Sequence, residues 1–164
     1  MNRLIIIGYE HHNTLGVIRA SQEIEADKWL IIVVSGKVVQ FVENSRFIKS
    51  SNTVIVDDEE KVLPILQTLP SIEGKNVVVS CGDRITRMLD IHSREFPYNF
   101  VLPIVQGKHR EMIRLQDKGT MCSMVQSKGI QVPYGEEIDI CQNFKLPRNF
   151  RFPCFIKAAS SSEG

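Results

Sequence analysis

The chain reads as an α/β protein built on parallel strands, and three observations predict it. Apolar runs at residues 4–7 (LIII) and 30–34 (LIIVV) are continuous, not alternating, which is the pattern of strands covered on both faces. The stretch between them carries helical spacing, and so do later stretches. Each run closes on small residues, Gly8 after the first and Ser35-Gly36 after the second. Strand, helix and strand in that order call for parallel pairing with a right-handed crossover.

The loop from Gly8 to Gly16 follows the first strand and is not a G-x-G-x-x-G fingerprint, so dinucleotide binding has no motif behind it. His11 and His12 are sequence neighbours and point different ways on most backbones. They read as polar loop residues able to touch a substrate or a neighbouring domain, not as a metal pair. Asn13 or Thr14 is placed to cap the first helix. Its apolar face is Val17, Ala20 and Ile24, with Leu15 and Ile18 beside it. The stretch from Val38 to Val42 fits a strand or the lead into a turn. Ser45-Arg46-Phe47 fits a surface turn before a short extended piece at residues 53–56.

Asp57 or Asp58 can cap a helix with Val62, Ile65, Leu66 and Leu69 on one face. Pro64 removes an internal hydrogen bond, so this helix must start late or bend. Residues 77–79 (VVV) form the next strand, closed by Ser80-Cys81-Gly82-Asp83. Asp83 caps a helix with Ile85, Met88 and Leu89 inward; at the carboxyl end of a central strand it could also face a cleft. His92, on the same face, reads as a satisfied structural histidine. Residues 100–102 make a further strand, ended by Pro103, and residues 109–115 a short helix leading into Asp117.

Composition narrows the function classes. The chain has 164 residues, is 43% hydrophobic and 24% charged, and carries a net charge of +1. That suits one soluble domain and the beginning of a second. No basic stripe asks for nucleic acid. The run at residues 4–7 is far too short to cross a bilayer and lacks a signal-peptide cleavage site. The expected location is the cytoplasm. The four cysteines form no C-x-x-C and lie near no histidine at zinc spacing. Cys81, Cys122 and Cys154 sit among apolar neighbours and read as buried free thiols of a reducing compartment.

The chemistry concentrates in the last third. Asp117 can cap a short helix whose apolar positions are Met121, Cys122, Met124 and Val125. Lys118 opens that helix, Lys128 falls in its last turn, Gly129 stands where a left-handed cap is wanted, and Pro133 stops anything further. Residues 152–158 (FPCFIKA) predict a short buried strand with Lys157 at its exit. Ser160, Ser161, Ser162 and Gly164 then supply a loop of little bulk, whose backbone N–H groups can close over phosphates.

Asp117-Lys118, the G-I-Q-V-P at residues 129–133, Phe152-Pro153, Lys157 and the small-residue run occur in an order that resembles the start of an ATP-grasp domain. Ser45-Arg46 is similar to an "S-R" segment found earlier in that family. The resemblance implies a Rossmann-like, mostly parallel sheet with helices on both faces over residues 1–114, the leading domain of such enzymes. It implies that residues 115–164 begin the nucleotide-binding domain. Lys118 and Lys157 become the two ATP-binding lysines, and Ser160, Ser161, Ser162 and Gly164 open the phosphate-covering loop. The loop carries serines where many relatives carry glycines.

The same resemblance implies a parent enzyme that activates a carboxylate as an acyl phosphate and joins it to an amine or similar nucleophile, using ATP and Mg²⁺. Its metal ligands and catalytic residues fall beyond residue 164, so the piece alone is expected to turn over no ATP. Such leading domains also contribute to dimers, which makes a homodimer possible. A carbamoyl-phosphate-synthase-like enzyme acting on bicarbonate is a variant of this reading, disfavoured by the single copy of the motif set. A stand-alone α/β binding module without catalysis is the contrasting alternative.

Overall fold

The computed structural model describes residues 2–24, 28–35, 40–105, 108–139 and 152–159. The chain divides into two compact units, Met1–Met112 and Ile113–Gly164.

In the first unit five strands form one all-parallel sheet of Rossmann-like α/β type. They are β1 (Arg3–Tyr9), β2 (Lys28–Val34), β3 (Thr53–Val56), β4 (Asn76–Ser80) and β5 (Phe100–Val101), ordered β3-β2-β1-β4-β5. Side chains alternate across a strand, so register decides which residues share a face. Ile5 stands opposite Val78 and Ile7 opposite Ile32. These four join one core with Val62 and Leu66 of α2 (Val62–Gln67) and Ile85 and Leu89 of α3 (Asp83–Ile91). Leu4 and Ile6 face the other way. They pack with Ile31, Val33, Val42 and Ile18 of α1 (His12–Ala20). With α1 on one face and α2 and α3 on the other, β1 is buried from Arg3 to Gly8. That double cover is why its sequence is continuously apolar. Each buried branched residue contributes about 1.5–3 kcal/mol relative to exposure.

Several local expectations need correction. His11, not Asn13 or Thr14, is the N-cap of α1; its Nδ1 accepts from the Asn13 N–H at 3.3 Å. The inward face of α1 is Thr14 and Ile18, continued by Ser21, while Leu15 and Val17 flank it. Ala20 is exposed and Ile24 lies past the helix, 53% exposed. Gly82 occupies the cap of α3 and Asp83 is its first residue, where a carboxylate still complements the helix dipole. Val42 is buried in a turn, and Val38 and Val39 lie outside the described residues. His92 caps the end of α3 and its ring bonds Glu95 at 2.7 Å.

Pro64 is accommodated because α2 starts late. Asp58 caps a 3-10 turn at Glu59–Lys61, and the α-helix begins at Val62. Pro64 then sits in the first turn, where the missing N–H would have had no intrahelical partner.

The chain leaves the first unit through a built corner. Asp90 on α3 is fully buried, and its Oδ1 accepts the Arg110 N–H at 3.0 Å. Arg110 has φ +63°, a left-handed conformation that costs a non-glycine residue energy. α4 (Glu111–Gln116) follows, crossing the boundary between the units.

The second unit contains α5 (Lys118–Gln126). Asp117 is its N-cap and accepts the Thr120 N–H at 2.7 Å. Gly129, at φ +76°, supplies the left-handed residue that ends the turn. The expected apolar face is only half-buried at Met124 and Val125, and Met121 and Cys122 are exposed. The segment at residues 152–158 is not a strand. Phe152, Phe155 and Ile156 are 72%, 93% and 89% exposed. A strand needs a neighbour to take its backbone groups, and none pairs with this stretch among the described residues. No described helix is long and apolar enough to cross a membrane.

Candidate functional site

The strand order reverses between β1 and β4. Loops leaving their carboxyl ends part to opposite faces and open a crevice, the usual ligand position of open α/β sheets. Tyr9 and Glu10 come from the β1 side; Cys81, Gly82 and Asp83 come from the β4 side. The crevice floor is close-packed. A Cβ on Gly8 would stand 2.9 Å from the Cys81 Cβ and 2.8 Å from the Thr14 Cγ2. One on Gly82 would stand 2.5 Å from the Tyr9 ring.

Above that floor the side chains are cross-linked. The Tyr9 hydroxyl donates to Glu59 Oε2 at 2.5 Å, and Arg84 Nη2 pairs with Glu59 Oε1 at 2.7 Å. Burial, then the Glu59 hydrogen bond, holds the Tyr9 phenol above its ordinary range, so it stays a neutral donor. Glu10 turns toward the loop after β2, where its carboxylate accepts the Val42 N–H at 2.6 Å and the Glu43 N–H at 3.0 Å. Nothing local in the sequence announced these pairs, because their partners lie tens of residues apart. His12 stacks on Phe41 at 5.0 Å, and its ring sits 5.8 Å from that of His11, tilted by 60°. The two imidazoles therefore serve capping and packing. Among the described residues no group of three His, Cys, Asp or Glu converges to hold a metal ion.

Cys81 closes the crevice beside the fully buried Thr14 hydroxyl, which lacks a hydrogen-bond partner of ordinary geometry. Burial pushes the Cys81 thiol up to about 11, against a smaller opposite pull from Thr14. The thiol is thus protonated near neutrality and is a poor nucleophile. Its thiolate fraction there is roughly a hundredfold below that of an ordinary cysteine. Cys122 is exposed, contrary to the sequence reading, Cys154 is half-buried, and all three are free. Cys141 lies outside the described residues. We expect iodoacetamide to label Cys122 well before Cys81 near neutral pH, with Cys81 catching up only as pH approaches 11. Peptide mass spectrometry checks this; equal rates would contradict the burial argument.

The sequence-predicted nucleotide site belongs to the second unit. Lys118 Nζ donates to the Ala158 carbonyl at 2.7 Å and the Ala159 carbonyl at 3.3 Å. Its backbone N–H also reaches the Ala159 carbonyl, at 3.2 Å. Lys157 is the preceding residue and is exposed. The helix opening and the lysine-bearing segment are therefore joined, although they are far apart in sequence. Asp117 is engaged by Thr120, and those hydrogen bonds hold its carboxyl below the ordinary range. Ser160, Ser161, Ser162 and Gly164 lie outside the described residues. Gly119 has its Cβ position 3.1 Å from Glu137 Oε2, which brings that carboxylate to the same helix start. A search against protein-family models finds no match, nor do searches of curated proteins and of solved structures.

Proposed function

We propose that the chain carries the leading α/β domain and the opening of the nucleotide-binding domain of an ATP-dependent ligase. Its reaction class is activation of a small carboxylate as an acyl phosphate and transfer to an amine or similar nucleophile. The observation that supports this best is the Lys118 ammonium, 2.7 Å from the carbonyl next to Lys157. Backbone carbonyls accept the hydrogen bonds of that ammonium, although its charge also acts on the adjacent Asp117 carboxylate. Phosphoryl transfer asks for concentrated, positioned positive charge. Lys118 and Lys157 fit this demand as compact cations on adjoining backbone. ATP, with Mg²⁺, would supply the transferable phosphoryl group; these lysines would bind and orient its phosphates. A bicarbonate-activating enzyme would use the same pair.

The three free thiols fit a reducing compartment, and the proposed location is the cytoplasm.

The test uses the full-length protein. Lys118→Ala and Lys157→Ala should each weaken ATP binding about tenfold, the value of one charge-assisted contact. Equilibrium dialysis reads this, and a screen of small carboxylates and amines should find carboxylate-dependent ADP release. Unchanged ATP affinity in both variants would remove the ligase reading and leave a non-catalytic binding module.

A further inference from the structure

At the amino-terminal edge of β2, opposite to the crevice, lies a hollow of about 120 Å³. Trp29, Ile31, Phe47, Lys49, Asn52 and Gln22 line it. Trp29 and Ile31 stand on the α1 face of the sheet, in register with Leu4 and Ile6. Phe47, Lys49 and Asn52 come from the segment entering β3, and Gln22 from the turn after α1. The Arg46 guanidinium lies 5.0 Å from the Phe47 ring centroid, and that of Arg19 lies 5.6 Å from it. A guanidinium stacked on a ring keeps its N–H edge free for carboxylate or phosphate oxygens. Among the described residues no carboxylate pairs with Arg19, Arg46 or Lys49.

Trp29, Phe47 and the cation Lys49 therefore line the hollow, while the Arg19 and Arg46 guanidiniums lie against the Phe47 ring beside it. We infer that this hollow binds a small aromatic anion, with a single ring between Trp29 and Phe47 and its acidic group on Arg19, Arg46 and Lys49. Charge supports an anion, because Lys49 in the wall and the two guanidiniums on the Phe47 ring are all positive and none pairs with a described carboxylate. The site shares no residue with the lysine pair and stands or falls independently of the ligase proposal.

Trp29 is the sole tryptophan of the chain and sits in the wall, so its fluorescence reports occupancy directly. The probe is phenyl phosphate, compared with benzyl alcohol as the neutral ring and inorganic phosphate as the bare anion. Phenyl phosphate should change Trp29 emission saturably, and benzyl alcohol should bind at least about tenfold more weakly. Inorganic phosphate should leave the emission unmoved. The double variant Arg19→Gln/Arg46→Gln should weaken phenyl phosphate about tenfold with an unchanged circular dichroism spectrum. The inference is overturned by an absence of saturable change, by equal binding of benzyl alcohol, or by unaltered affinity in the folded double variant. The comparison of neutral and anionic rings on the unaltered protein decides the matter if that variant does not fold.

Discussion

Replacing Gly8 by valine should be the most damaging small change in the first unit, lowering its stability by about 3 kcal/mol or more. Gly8 closes the buried stretch of β1, where α1 turns back onto the sheet. Its missing Cβ is the reason the Thr14 side chain and the Cys81 Cβ can both approach, the latter within 2.9 Å of where that carbon would stand. Thr14 is completely buried and cannot swing away. An added side chain must push α1 off the sheet and open the core around Leu4, Ile6 and Ile18. Even alanine should cost about 1–3 kcal/mol by overpacking. The positive control is Gly16→Ala, since nothing lies within 4 Å of the new carbon and alanine favours a helix over glycine. Urea midpoints of the three variants measure the ranking. A Gly8→Val protein as stable as the parent would show that the close packing around Gly8 does not matter.

The second large effect is expected at Asp90. Alanine there removes the acceptor of the Arg110 N–H from a fully buried position. Loss of that hydrogen bond and of the amide's partner together cost about 3 kcal/mol. The same bond secures Arg110 at φ +63°. Arg110→Gly relieves that backbone and should stabilise by a few tenths of a kcal/mol up to about 1 kcal/mol. Opposite signs at two residues that share one hydrogen bond are a demanding outcome. Thermal unfolding of both variants checks it, and destabilisation by Arg110→Gly would mean that its side chain matters more than its backbone.

The sheet was readable because parallel strands covered on both faces must be apolar throughout, as residues 4–7 and 30–34 are. The helix faces of α2 and α3 followed from spacing alone, with Val62, Leu66, Ile85 and Leu89 buried. The cap of α1 was misread because His11 rarely competes with Asn or Thr, yet its Nδ1 has the reach. Residues 152–158 were misread for a different reason. Apolar content marks a candidate strand, but pairing makes one, and pairing is not written in the segment. The Tyr9–Glu59–Arg84 linkage was invisible since it depends on how three separate elements end along one sheet edge. The ordered motif singled out Lys118 and Lys157 together rather than either alone, and only coordinates could show the Lys118 ammonium on the Ala158 carbonyl.

The central place of β1 has a consequence for synthesis. β1 is translated before both of the strands that flank it, and the second of them is not complete until Ser80. Until then a stretch of leucine and isoleucine waits half-covered. Nascent chains arrested before β4 should therefore recruit chaperones, whereas chains released past it should shed them.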